Sequence, residues 1–90
     1  QKGQQIMSSV CENVSGLVEY LVTSIVDNKD AVNIVSSESD NGDISIEINV
    51  DESDVGHIIG KEGHIIKSIR RLARACALKS DVHVDVELVD

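Results

Sequence analysis

Proline, tryptophan and phenylalanine are absent from this sequence of 90 residues, and Tyr20 is its sole aromatic. Any core must therefore be built from Val, Ile, Leu and Ala. The lack of proline, with a hydrophobic share of 41%, argues for a folded chain of regular elements rather than a disordered one. No stretch approaches the roughly 18 apolar residues that a membrane-crossing helix needs, and no charged-then-apolar leader marks the chain for secretion. Cysteine is scarce. Cys11 and Cys76 stand far apart in different predicted elements, and they read as small buried hydrophobes in a reducing compartment. The expected location is the cytoplasm. A chain of this length can bury one continuous core, but it has no room for a second lobe with a deep catalytic cleft.

Positive charge is also in short supply. Eight Lys and Arg face 16 Asp and Glu, for a net charge of −8, which is unpromising for a nucleic-acid ligand until its distribution is considered. Between His57 and Ser80, Lys61, Lys67, Arg70, Arg71, Arg74 and Lys79 are opposed only by Glu62, so this segment carries +5. The rest of the chain carries −13. An acidic protein with one concentrated basic strip is the result.

Periodicity places the elements. From about Gln4 to Asp27, Met7, Val10, Val14, Leu17, Val18, Leu21, Val22 and Ile25 recur at steps of three and four, which predicts a long amphipathic helix. Asp27-Asn28-Lys29-Asp30 ends it. Ala31 to Val35 is a short β-branched run, and Ser36 to Asp43 is a polar turn containing Asn41-Gly42, a strong reversal signal. Ile44, Ile46, Ile48 and Val50 then alternate with polar residues, as a half-buried strand requires. A short helix capped by Ser53 carries Val55, Ile58 and Ile59. A second helix runs from about Gly63 to Lys79, and Val82, Val84, Val86 and Leu88 mark a last strand. The order helix-strand-strand-helix-helix-strand, with a two-helix crossover before the last strand, predicts an α+β fold. It is a three-stranded mixed sheet with helices on one face.

The chemistry concentrates at Gly60-Lys61-Glu62-Gly63. A phosphate backbone can approach the main chain closely only where side chains are absent, and glycine provides that. Loop amides and the positive end of the following helix would then face the anion, with Lys61 adding a mobile cation. In that helix Ile65, Ile66, Ile69, Leu72, Ala73, Cys76 and Ala77 fall on one side. Lys67, Arg70, Arg71 and Arg74 fall on the other, with Arg70 and Arg74 best placed to reach a ligand.

The run Asp54-Val55-Gly56-x-Ile58-Ile59-Gly60-Lys61-x-Gly63-x-Ile65, with Leu17-Val18-Glu19-Tyr20-Leu21-Val22 upstream, resembles the KhpA-type small bacterial KH proteins. The resemblance covers residues 14–90. It implies a type II KH domain there, with residues 1–13 as an extension of the first helix. It also implies binding of single-stranded RNA, and homodimerisation or pairing with a larger KhpB-type partner. The family is linked to RNA-level control of envelope growth and cell shape, in the manner of an RNA chaperone or post-transcriptional regulator. KH loops hold about four nucleotides of backbone while bases lie in an adjacent groove. Carried onto this chain, the RNA-binding candidates are Gly60, Lys61, Glu62, Gly63 and His64 at the loop. Val55, Gly56, Ile58, Ile59 and Ile66 would form an aliphatic groove, and Lys67, Arg70 and Arg74 would supply charge. Glu62 departs from what a phosphate-facing loop prefers, and an acid there would instead suit the N-terminus of the following helix.

Competing chemistries find less support. Gly56-x-x-x-Gly60-Lys61 is one residue short of a nucleotide-binding P-loop and lacks its Ser or Thr. Glu38, Asp40 and Asp43 lack calcium-loop spacing. No nucleophile, base and acid are arranged for catalysis, so neither an enzyme nor a cofactor or metal is expected. The rival of a different class is a KH-fold dimerisation module with little RNA binding of its own. A third reading is a KH domain cut from a larger protein such as a ribosome-associated GTPase.

Overall fold

A computed structural model describes residues 9–89. The expectations for Met7, for a helix start near Gln4 and for the first eight residues of the predicted extension lie outside the described residues. The first helix, α1 (Ser9–Ile25), buries Cys11, Val14, Val18 and Val22. These steps of three and four form one stripe against the sheet. After a 3₁₀ turn at Lys29–Ala31 come β1 (Asn33–Glu38) and β2 (Ile44–Asn49), paired antiparallel with Ile34 opposite Ile48 and Glu38 opposite Ile44. Strict alternation in β2 buries Ile44, Ile46 and Ile48 and leaves Ser45 and Glu47 in solvent. The last strand, β3 (Val84–Leu88), lies parallel to β2 with Ile46 opposite Val86, and the sheet order is β1-β2-β3. Two short helices, α2 (Val55–Ile59) and α3 (His64–Cys76), make the crossover. All helices cover the face on which Ile44, Ile46, Ile48, Val84 and Val86 are buried. The α+β architecture and the mixed three-stranded sheet match what periodicity predicts and what the KH resemblance implies.

Several details correct the sequence reading. The first strand runs on through Ser36, Ser37 and Glu38. Ladder bonds to Ile44–Ile46 outweigh the polar composition of that stretch, because strand propensity is weak against an available partner. The reversal is accordingly tighter, with Gly42 at φ 90 and its N–H bonded to Ser39 O at 2.9 Å. Ser53 is not the cap: Asp51 caps the 3₁₀ turn Glu52–Asp54 that leads into α2, its carboxylate accepting the Ser53 N–H at 3.0 Å, and the N-cap of α2 itself is Asp54, without a side-chain cap bond. In α3 the buried stripe is the narrower set Ile66, Ile69 and Ala73, continued by Ala77. Leu72 and Cys76 lie outside it and are exposed. Cys11 alone of the two cysteines is buried, and neither is in a disulfide. Among the described residues no helix is long and apolar enough to cross a membrane.

Candidate nucleic-acid interface

Helix α2 ends because Gly60 adopts φ 75, ψ 179 while its N–H still reaches Gly56 O at 2.9 Å. The chain then makes one 3₁₀ turn, Lys61–Gly63, in which Glu62 and Gly63 are both left-handed, at φ 57 and φ 76. The N–H groups of Gly60, Gly63 and His64 bond to Gly56, Gly60 and Lys61 carbonyls. Among the described residues, those of Lys61 and Glu62 have no protein partner. Two adjacent amide donors therefore stand at the tip beside the exposed Lys61 side chain, with α3 starting behind them.

The two glycines do different work. A β-carbon at Gly60 would stand 2.5 Å from Ile65 Cγ1, whereas one at Gly63 would meet nothing closer than Lys67 Cε at 3.7 Å. Gly60→Ala thus combines a disfavoured φ with a collision. It is expected to cost roughly 2–4 kcal/mol, lowering the melting temperature by about 10–20 °C. Gly63→Ala faces only the φ penalty, about 1–2 kcal/mol. Thermal melts of the two variants check the ranking.

Glu62 does not cap α3, as the sequence reading allowed. The N-cap is Gly63, with no side-chain cap, and the Glu62 carboxylate turns to His64, with Oε1 3.5 Å from Nε2 and both side chains exposed. His57 points away from the tip, its Nδ1 2.9 Å from Asp54 Oδ1.

An open groove borders the loop. Val55 and Ile59 of α2, Ile66 and Arg70 of α3, and Glu87 and Leu88 of β3 line it. Of the expected groove residues, Val55, Ile59 and Ile66 are brought together here, and Gly56 lies in α2 beside them. Ile58 is corrected: it is fully buried in the core. One helical residue separates it from Ile59 by about 100°, so it supports the wall from within. Glu87 and Leu88 were missed, because nothing local tells which strand forms the sheet edge beside α2 and α3.

That edge is itself organised. Ile44 N–H bonds to His83 O at 2.8 Å and Val89 N–H to Ile48 O at 2.9 Å. The odd-numbered residues of this stretch thus face β2, and Val84, Val86 and Leu88 direct their backbone groups outward. Arg70 Nε donates to Val86 O at 2.9 Å and Arg74 Nε to Val84 O at 3.4 Å. These bonds cover carbonyls that an exposed edge would otherwise offer to another strand. They also hold the guanidinium groups along the groove, with their terminal N–H donors unspent among the described residues. Lys67 and Arg71 stand on the same exposed side of α3.

At the start of α2 sits a feature that sequence reasoning missed. Asp54 is fully buried. Its Oδ1 accepts the Asp27 N–H at 3.1 Å and its Oδ2 accepts the Asn28 N–H and Asn28 Nδ2, each at 3.0 Å. These bonds, the Asp27 N–H foremost, hold the carboxyl far below the usual carboxylate range against the opposing effect of burial. The end of α1 is thereby tied to the base of α2. In the acidic run Asp51-Glu52-Ser53-Asp54, nothing but its place beside Val55-Gly56 distinguished this residue from solvated acids.

The family described as KhpA/KhpB, KH domain, matches residues 15–88. The RNA-binding protein KhpA of Borreliella burgdorferi is 42% identical over 74 residues, covering 82% of this chain and 89% of that protein. The protein of the same description from Caldanaerobacter subterraneus is 41% identical over 73 residues, covering 81% of this chain and 96% of the relative. That from Bacillus subtilis is 32% identical over 79 residues, with 88% and 96% covered. Among solved structures, Aquifex aeolicus Era bound to GDP and aluminium fluoride superposes with a TM-score of 0.57 at 19% identity. So does Era in complex with MgGDPNP and a segment of 16S ribosomal RNA. The match covers 99% of this chain but only 37% of Era. At that identity the likeness concerns the fold alone.

Proposed function

The chain belongs to the KhpA/KhpB KH-domain family, a family of RNA-binding proteins rather than enzymes, and from this premise we propose that it holds single-stranded RNA across the Gly60–Gly63 loop and the groove beside it. The observation that carries the reading is the pair of amides at Lys61 and Glu62, without a partner among the described residues, in a loop that follows directly on Ile59 of an aliphatic groove edged by Arg70. Backbone phosphate would meet the amides and the Lys61 ammonium. Bases would lie on Val55, Ile59 and Ile66, and the outward N–H groups of Val86 and Leu88 would be available to base edges. An aliphatic groove contacts bases without stacking rings, so the missing aromatics do not oppose this. Gly60, Gly63 and Gly56 act by what they lack, and His64, Lys67 and Arg74 add donors around the path.

Charge sorts the surface. The sheet face opposite the helices carries Glu47 in solvent, with exposed Asp85 and Glu87 along its rim beside α3, and these acids confine the polyanion to the α3 side of the groove. In this reading residues 14–90 are the binding unit of a cytoplasmic RNA chaperone or post-transcriptional regulator. The family's description joins KhpA with KhpB, and pairing with a KhpB-type KH protein, or with a second copy, is proposed on that ground.

Salt titration tests the binding mode. Single strands release about 0.7 counterions per neutralised phosphate, so contact with about three phosphates predicts a log–log slope of about −2. A slope near zero would leave the loop without a phosphate and favour the dimerisation module.

A further inference from the structure

We propose that the RNA path continues beyond the loop and groove, along α3, into a second pocket formed by Arg74, Leu78, Val82 and His83 that takes a further base; the inference rests on the loop-and-groove reading and extends it. Three depressions line this side of the molecule, and they share residues pairwise. Arg70 belongs both to the aliphatic groove and to a cationic hollow made with Lys67, Arg71 and Arg74. Arg74 belongs both to that hollow and to the far pocket, whose other walls are Leu78, Val82, His83, Val84 and Asp85. The three depressions therefore adjoin one another in a row, with Arg70 and Arg74 at the two junctions.

Its course follows from the hydrogen bonds. Arg70 reaches Val86 and Arg74 reaches Val84, so advancing along α3 means retreating along β3. Ile66, Arg70 and Arg74 recur every four residues of α3 and face the edge strand in turn, and Leu78, at the start of the 3₁₀ turn after the helix, lines the pocket beyond Arg74. From Ile66 to Arg74 alone the helix rises about 12 Å, which carries the path well past the nucleotides gripped at the loop. With Nε of each arginine committed to an edge carbonyl, the planar remainder of each guanidinium is fixed in orientation and can fork onto a phosphate.

The far pocket has the composition of a base site. Leu78 is 77% exposed and contributes nothing to the core. With half-buried Val82, it offers apolar surface next to the Arg74 cation, and His83 lines the same pocket. Asp85 lies on the strand side of the pocket. Its charge repels phosphate, so the sugar–phosphate chain would run on the α3 side, over Arg71 and Arg74, with the base turned toward β3.

The test uses the full chain with an adenine tetranucleotide and an adenine octanucleotide, comparing the unaltered protein with Leu78→Ser. Because Leu78 is exposed, the variant keeps its melting temperature. Tetranucleotide affinity is expected to be unchanged and octanucleotide affinity to fall about tenfold, the order of one lost base contact. Amide resonances of Leu78, Val82 and His83 should shift with the octanucleotide only. Equal octanucleotide affinity in both proteins, or an equal loss at both lengths, overturns the extension. An altered sedimentation of RNA-free Leu78→Ser would assign the pocket to a protein contact and overturn it likewise. The two readings fail separately. If Lys61→Asp with Glu62→Asp abolishes tetranucleotide binding while Leu78→Ser changes nothing, only the extension falls; if the loop variant leaves tetranucleotide binding intact, the clamp itself falls.

Discussion

With Lys61→Asp and Glu62→Asp combined, affinity for single-stranded RNA is expected to fall on the order of a hundredfold while the domain stays folded. A hydrogen bond to a charged group contributes about 1.5–3 kcal/mol. The change removes the Lys61 cation and sets an anion where the phosphate would lie, so one to two factors of ten follow from the lost attraction alone. Repulsion adds to them. Stability should hold for reasons visible in the loop. Both side chains are exposed, neither contributes to the core, and the left-handed backbone at position 62, φ 57, is one that Asp tolerates better than most residues. Titration of a labelled oligonucleotide, with circular dichroism as the control for folding, gives the answer. Unchanged affinity in a folded variant would move the RNA away from this loop.

The second large effect concerns stability. Asp54→Ala removes a buried acceptor and strands the N–H groups of Asp27 and Asn28, and it is expected to lower the melting temperature by roughly 10 °C or more at neutral pH. The same carboxylate gives the protein an acid limit. Its folded-state pKa is depressed, so the stabilisation is fully present above the unfolded value of about 3.9. It drains away as pH falls below that value toward the folded one. Asp51, lowered by the Ser53 hydroxyl and amide, acts in the same direction. Melting temperature should therefore decline steeply from about pH 4 downward in the unaltered chain and more gently in Asp54→Ala. Equal slopes would mean that other carboxylates set the acid limit. Because Asp54 anchors the start of α2, the variant should also loosen the loop and weaken RNA binding in proportion.

Much of this was legible in the residues. Period-two alternation in Ile44–Val50 and Val82–Leu88 announced two strands buried on one side. The three-and-four spacing from Val10 to Ile25 announced the first helix. Two glycines between an apolar pair and a basic amphipathic helix marked the loop, because a main chain bent through positive φ at 60 and 63 leaves few alternatives. The errors share one cause. Ser36–Glu38 extend a strand because β2 is there to pair with them, and Leu72 and Cys76 are exposed because the surface that α3 packs against is narrower than its apolar arc. Ile58 and Ile59 were equivalent as a pair, and only the position of the core separates the buried one from the exposed one.

What the sequence by itself determined was the list of elements, their order, the buried side of each, and the site of the loop. All of these depend on repeats within a few residues and on the steric limits of the backbone. Tertiary structure decided which strand became the free edge, and hence that Glu87 and Leu88 complete the groove and that Arg70 and Arg74 bond to the carbonyls of Val86 and Val84. It also decided that Asp54, one acid in a run of four polar residues, lies buried against the end of α1. Such pairings join residues 10 to 27 positions apart, and local periodicity records which way a side chain faces but not what it will meet there.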